Sequence, residues 1–568
     1  MARALVCSFH VFVLFYSADL AVAKGLRRTG AANTREEVEA SLLAELAGTF
    51  RPSATNDHIL ALEEGLRPMY AAVPQNSDGT LGHNVVRYVL HRFFVQRGWF
   101  IRGLEGDARN SSTDNALRDL QEWVPSFLQS FLEQLAGGRG ISLRELAVLA
   151  ATMEDLIHKE SVSRLEQAFR ALNLPLDTKL DEPHIKEVLE VYMMIYMLGG
   201  NFTITNPAGV RNAHKVFTQK VKDWVPVQEW MVEVKKTVHP TPGPLDFAAT
   251  SEVVEAIGER YGTYNLKECT TLKSELLDIE SQKAGRVSLP DFYKQGLKGV
   301  FEFNEKIEYL RDLGALDETD PTRPYVIVPN YVGSRPNCLV ASSFYVICCP
   351  NECEDLMGKL ERDIGAELAS PDKILSLITS MSSDTVLAPR TLSETLKKRL
   401  YKIADGNKGS VPLHGRLFAQ WMHHAYPREC PYPHAAGTIN PQTPDEWMQA
   451  TGQQDSKASK EELMAHVQNS TVTPVGKEAR HQHHFEENEL PWNEAEELLV
   501  PIVAKATEKP IDKRSRFRAV LSFLLLSSMG IGLVWAWRSF LKGELGMRMQ
   551  PKGKGLPLCR AGDAYKLA

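Results

Sequence analysis

Residues 519–537 (AVLSFLLLSSMGIGLVWAW) are nineteen consecutive positions without a charge. As a helix rising about 1.5 Å per residue they extend about 28 Å, close to the hydrocarbon thickness of a bilayer. Arg516 and Arg518 flank one end, and Trp535, Trp537 and Arg538 the other, as cations and indoles do at a membrane interface. The run reads as one transmembrane helix, dividing the chain into a long N-terminal part and a short tail.

The start of the chain orients that span. Residues 1–23 carry Arg3, an apolar stretch over 4–16 and the small-residue pattern Ala21-Val22-Ala23, the layout of a cleavable signal peptide. The expectation is a type I single-pass protein of the secretory pathway or plasma membrane, its N-terminal part luminal or extracellular. Residues 538–568 are then a basic cytosolic tail, with seven Lys and Arg against Glu544 and Asp563. Three N-x-S/T sequons, at Asn110, Asn201 and Asn469, precede the span and are glycosylation candidates. The formal net charge is −6, and no long basic stripe occurs outside the juxtamembrane region. Nucleic acid is therefore not an expected partner; the membrane and a protein are.

Between the two apolar ends the composition is that of folded domains, with 43% hydrophobic and 24% charged residues. The expected fold class is mainly α with minor β. Val85, Val86, Val89, Leu90, Phe93 and Phe94 recur at helical spacing and predict an amphipathic helix over 83–97. The apolar run YMMIYML at 192–198 is too short to span a membrane and reads as core. Strand-like runs fall at 325–328 and 344–348. The prolines of HPTPGP at 239–244 stop any helix and suggest a linker. These signals divide the N-terminal part into a helical domain over 24–238, a second mainly helical domain over 245–450, and a polar stalk over 451–518.

Three stretches share one layout: a helix, a Gly-bearing loop, a β-branched residue, then Ser or Pro, Leu and a new helix. They centre on Gly137–Gly140, Gly285 and Gly409. The layout resembles the EF-hand, whose twelve-residue loop carries Gly at position six, an aliphatic residue at eight and an acid at twelve. Counted from Glu280, Gly285 is sixth, Val287 eighth and Asp291 twelfth. The resemblance implies helix-loop-helix units that pair, and it implies calcium ligands at Glu280, Gln282, Arg286 (backbone carbonyl), Ser288 and Asp291. The loop departs from the family at positions three and five, Gln282 and Ala284, where Asp or Asn is usual. The loop counted from Gln134 has Glu145 at twelve but Ala136 and Gly138 at three and five, and the loop from Ala404 ends in Gly415. Calcium takes about six to eight oxygens, so any calcium held here is held weakly. The partner of the first unit is expected in the loop over 173–182 that follows it.

Cysteine and histidine carry the remaining candidate chemistry. Cys7 falls in the signal peptide and Cys559 in the tail; Cys269, Cys338, Cys348, Cys349, Cys353 and Cys430 lie between. An even number in an oxidising compartment suggests disulfides, and the adjacent pair Cys348–Cys349 is not expected to bond to itself. A transition-metal site is the alternative use, built from His414, His423, His424, Cys430 and His434. A Cys–His reactive thiol is a third. No G-x-S-x-G, H-E-x-x-H, Walker loop or G-x-G-x-x-G occurs. The sequence thus leads to a membrane-anchored interaction or scaffold module, with a luminal metal or thiol enzyme using the 414–434 block as its alternative.

Overall fold

The computed structural model describes residues 52–101, 104, 140–198, 204–221, 224–298, 301–339, 345–468 and 492–500. Residues 1–23, 519–537 and 538–568 lie outside these, as do Asn110, Asn201 and Asn469. No helix among the described residues is long and apolar enough to cross a membrane.

The described chain is mainly helical. It begins with α1 (Pro52–Ala72), α2 (His83–Val95) and β1 (Trp99–Ile101). Five long helices follow: α3 (Leu143–Ala171), α4 (Glu182–Leu198), α5 (Pro207–Lys220), α6 (Trp224–Val238) and α7 (Phe247–Asp278). Helix α2 forms because its apolar stripe repeats at helical spacing, and Val85, Val86, Val89, Leu90, Phe93 and Phe94 are all buried. Helix α3 starts at a capping box, in which Ser142 accepts from the Glu145 amide and the Glu145 carboxylate takes the Ser142 N–H at 2.8 Å. Nothing between 155 and 161 breaks it, so the stretches at 143 and at 161–172 are one helix of 29 residues.

The second half is built from shorter pieces. They are β2 (Arg286–Ser288), α8 (Leu289–Gly296), α9 (Ile307–Asp312), β3 (Leu316–Asp317), β4 (Tyr325–Ile327), α10 (Val328–Val332) and β5 (Tyr345–Ile347). Then come α11 (Glu352–Ile364), β6 (Leu368–Ala369), α12 (Pro371–Ser380), α13 (Glu394–Gly406), β7 (Val411–Pro412) and α14 (Arg416–Ala425). Helices α15 (Pro444–Thr451) and α16 (Lys460–Gln468) complete the series.

One rule relates these pieces. Antiparallel pairing joins loops just before the second helix of each helix-loop-helix: Leu81↔Ile141, Leu180↔Leu245, Val287↔Val326, Glu305↔Lys457 and Ala369↔Val411. The first loop therefore pairs with the loop before it, through Leu81, and not with the loop over 173–182, which reaches forward to Leu245. The Pro-rich segment 239–244 is thus the loop of a paired unit. Helix α7 beyond it packs Val253, Val254 and Ile257 into the same core as Leu165 of α3 and Tyr192 of α4.

Three apolar cores result. The largest takes α1 to the first half of α7, including Tyr192–Tyr196, all within 4% of full burial. The second gathers α11 to α14, and the third lies around Phe292, Tyr309, Tyr331 and Trp447. Two described pieces of the segment read as a stalk are packed down. Leu463 of α16 is in the third core. Residues 492–500 are pinned by Arg416, which donates to the carbonyls of Asn493, Ala495 and Pro433 at 2.8–2.9 Å.

Six cysteines form three disulfides: Cys269–Cys349, Cys338–Cys348 and Cys353–Cys430. The adjacent Cys348 and Cys349 go to different partners, as backbone geometry requires.

Candidate functional site

A cavity of about 610 Å³ opens between α1, the turn after α2, α3 and α7. Helical spacing lines it with titratable groups. Glu154 and His158 are one turn apart on α3, and Glu255 and Glu259 one turn apart on α7, so each pair shares a helix face. From α1, the His58 Nε2 meets Glu154 Oε2 at 2.7 Å. Across the helix interface, His158 Nδ1 lies 3.3 Å from Glu255 Oε2. Arg97 lies over the Phe93 ring, with its Nε 3.7 Å from Glu154 Oε1.

Glycine makes the floor. Gly258 and Gly262 of α7 line the cavity, and a Cβ at Gly262 would lie 3.5 Å from the Arg97 carbonyl. Gly98, at φ +78°, turns the chain from α2 into β1 along the same wall.

The electrostatics follow from these contacts. The hydrogen bond to Glu154 holds the His58 pKa above the ordinary imidazole value, and the bond to Glu255 does the same for His158. Burial first, then repulsion from Glu154 and Glu255, pushes the Glu259 carboxyl up. Such a cleft can take a cation or pass a proton between carboxylate and imidazole.

None of these five residues is singled out by a sequence motif. The available signal was E-x₃-H at 154–158 and E-x₃-E at 255–259, acids and bases at one-turn spacing on long helices. Their pairing across α3 and α7 is long-range and leaves no local trace.

The five residues read as a metal site point in different directions. The His414 side chain is buried; its Nδ1 accepts from Tyr88 OH at 3.0 Å and its Nε2 faces Glu361 Oε1 at 3.2 Å. Burial holds His414 well below the usual imidazole range and therefore neutral. His423 Nδ1 donates to the Cys430 carbonyl at 2.6 Å, leaving Nε2 to accept from Arg286 Nη1 at 3.1 Å. His424 packs on Trp492, and His434 Nε2 meets the Gly314 carbonyl at 2.7 Å. Cys430 is bonded to Cys353. Among the described residues no group of three His, Cys, Asp or Glu is arranged to hold a metal ion. All six cysteines there are in disulfides, so none offers a thiol.

The loop over 280–291 is likewise filled by protein. Arg428 grips both oxygens of Glu280 at 2.8 Å, and Glu280 Oε1 accepts the Gly285 N–H at 2.5 Å. Ser288 and Asp291 bond to each other as the cap of α8, and Gln282 is exposed. The Arg286 side chain is fully buried and pairs with Asp317. Gly285, at φ +69°, packs so closely that a Cβ would fall 2.0 Å from the Pro427 carbonyl oxygen. Glu145 is spent on the capping box of α3.

A second cavity of about 400 Å³ lies under Leu498 and Leu499 of the pinned segment. Beside its lining a chain runs from Tyr88 through His414 and Glu361 to Arg92, which also binds Glu354 at 2.7 Å. His414, chosen from sequence as a metal ligand, belongs to this chain.

Comparison of the chain with family models, with curated proteins and with solved structures finds no match to any of them.

Proposed function

We propose that this chain is a single-pass membrane protein of the secretory pathway whose helical part, luminal or extracellular, is a protein-interaction scaffold. Its units are EF-hand-like in layout and act as rigid clamps, not calcium switches. The observation that carries this reading is the repeated antiparallel pairing of loops, combined with a 280–291 loop whose would-be ligands are bound by Arg428, the Gly285 amide and the cap of α8. A loop already closed by protein groups gains little from an ion. The three disulfides, the signal-like residues 1–23 and the apolar run 519–537 support the luminal placement.

Two outcomes test it. Expressed in cells, the chain should lose mass on glycosidase treatment, and Asn110→Gln, Asn201→Gln and Asn469→Gln together should abolish that loss. An unglycosylated N-terminal part, open to protease in intact microsomes, would sink the topology. For the clamps, calorimetric titration of the purified chain should find calcium no tighter than the millimolar end of the range for such loops, on the order of 10⁻³ M. A micromolar site removed by Asp291→Asn would show that the loops are switches.

A further inference from the structure

We propose that Glu305 is a proton-operated latch: with its carboxyl protonated it holds residues 455–468 closed on the third core, and on losing the proton it loosens them.

The placement of the carboxyl is the first argument. Glu305 lies just before α9 and is 8% exposed. Its Oε1 accepts from Tyr331 OH at 3.0 Å, and its main-chain carbonyl accepts from Tyr293 OH at 2.9 Å. Its Oε2 is buried and has no hydrogen-bond partner among the described residues. A charge there is costly and a neutral carboxyl is not. Burial accordingly pushes the Glu305 pKa up to about 7, against the opposing pull of loop amides, Tyr331 and Lys457.

The groups around it leave the anion poorly compensated. Lys457, on the facing segment, is exposed, and its Nζ is paired with Glu302 Oε2 at 2.6 Å. Beside Glu305 in sequence, Lys306 Nζ donates to Gln453 at 3.2 Å, and Glu308 adds negative charge near Tyr293. Helix α16 brings Glu462 and His466, the latter 5.6 Å from the Tyr293 ring. Helix α15 brings Asp445 and Glu446 toward Tyr309. Burial holds Tyr293, Tyr309 and Tyr331 above the usual phenol range, so all three stay neutral.

The segment it holds is the second argument. Residues 304–306 run antiparallel to 456–458, with Glu305 opposite Lys457. The Lys306 N–H donates to the Ser456 carbonyl at 2.9 Å, and the Ala458 N–H to the Asn304 carbonyl at 2.7 Å. Helix α16 then lies on α8 and buries one side chain, Leu463. Two main-chain hydrogen bonds, an exposed ion pair and one leucine are the fastenings of a segment that opens locally. Opening withdraws Leu463 from the third core and bares the face of α8 beneath.

The sign follows from the two states. Opening hydrates the carboxyl, and its pKa returns toward the ordinary glutamate value of about 4.3. Between that value and about 7 the closed state binds a proton that the open state does not. Closure therefore strengthens as pH falls through this window and weakens as pH rises through it.

The experiment is hydrogen exchange read by mass spectrometry on the full chain, purified in detergent, with rates corrected for the intrinsic effect of pH. Opening of 455–468 should increase at least about tenfold between about pH 5.5 and pH 7.5, with no such step in α4. Glu305→Gln, neutral at every pH, should keep the segment closed and remove the step. Tyr331→Phe, which deletes a donor that favours the anion, should move the step to higher pH. His466→Gln should leave the step in place, separating Glu305 from the imidazole on α16. No step in the parent, a step of equal size in α4, a step that survives Glu305→Gln or vanishes in His466→Gln, or one unmoved by Tyr331→Phe overturns the latch. Those results would leave the topology and the clamp reading standing.

Discussion

Arg286→Met is expected to destabilise the protein by about 3–5 kcal/mol, the range for removing one member of a buried ion pair. Arg286 is 0% exposed, and its Nε donates to Asp317 Oδ2 at 2.6 Å. Its Nη1 also donates to His423, which is itself fully buried. Methionine would fill much of the volume but leave Asp317, 6% exposed, without its counter-charge. Burial alone would raise the Asp317 pKa; the Arg286 guanidinium and the Thr319 bonds overcome that and hold it below the usual range. A carboxylate with a depressed folded pKa contributes stability present above its unfolded value and lost as pH falls through the folded one. The stability gap between parent and variant should therefore narrow as pH falls, because the parent loses a contribution that the variant lacks. The double variant Arg286→Met/Asp317→Leu should recover much of the loss, because no buried charge is then stranded. Urea midpoints followed by tryptophan fluorescence give both quantities. A single-variant loss below about 1 kcal/mol, the level of an exposed ion pair, would show that water reaches this site.

The pair matters because of what it joins. Arg286 sits in β2, which pairs with β4, while His423 sits on α14. With Glu280–Arg428 alongside, it fixes the 280–291 loop to the block at 423–430. Sequence reading placed Arg286 as a backbone ligand of calcium and His423 as a ligand of a metal. Their use is mutual, and only the fold brings positions 137 residues apart within 3.1 Å.

That contrast holds across the chain. Features set by neighbours in sequence were legible: the stripe that makes α2, the buried run around Tyr192, the strands at Tyr325–Ile327 and Tyr345–Ile347, and the even cysteine count. Features set by distant partners were not. A loop with a β-branched residue before a helix announces that it will pair, but the partner of Ile141 is chosen by packing, α1 lying on α3, and no residue in the loop encodes it. The pairing of six cysteines is open for the same reason. So is the cleft, since Glu154 and Glu255 acquire their imidazoles from other helices.

Removing disulfides is the second large effect expected. Cys269–Cys349 and Cys353–Cys430 close sequence separations of 80 and 77, against 10 for Cys338–Cys348. In the chain-entropy account a crosslink stabilises by restricting the unfolded chain, by about 4.5 kcal/mol for each long loop and about 2.7 kcal/mol for the short one. Each long crosslink also lies within a single core, where it joins segments distant in sequence. Cys269 and Cys349 both lie in the third core, drawing the far half of α7 onto the segment that follows β5. Cys353 and Cys430 both lie in the second, binding the start of α11 to the chain beyond α14. Cys353→Ser/Cys430→Ser should therefore lower the urea midpoint clearly more than Cys338→Ser/Cys348→Ser. Loss of all three approaches the whole net stability of an ordinary domain, about 5–15 kcal/mol, so the chain should not fold where thiols stay reduced. Denaturation of the paired serine variants, read beside the parent under oxidising conditions, ranks the crosslinks without relying on reductant reaching Cys430, 1% exposed. Equal midpoints for the long-loop and short-loop variants would show that local strain, and not the entropy of the unfolded chain, sets what each crosslink contributes.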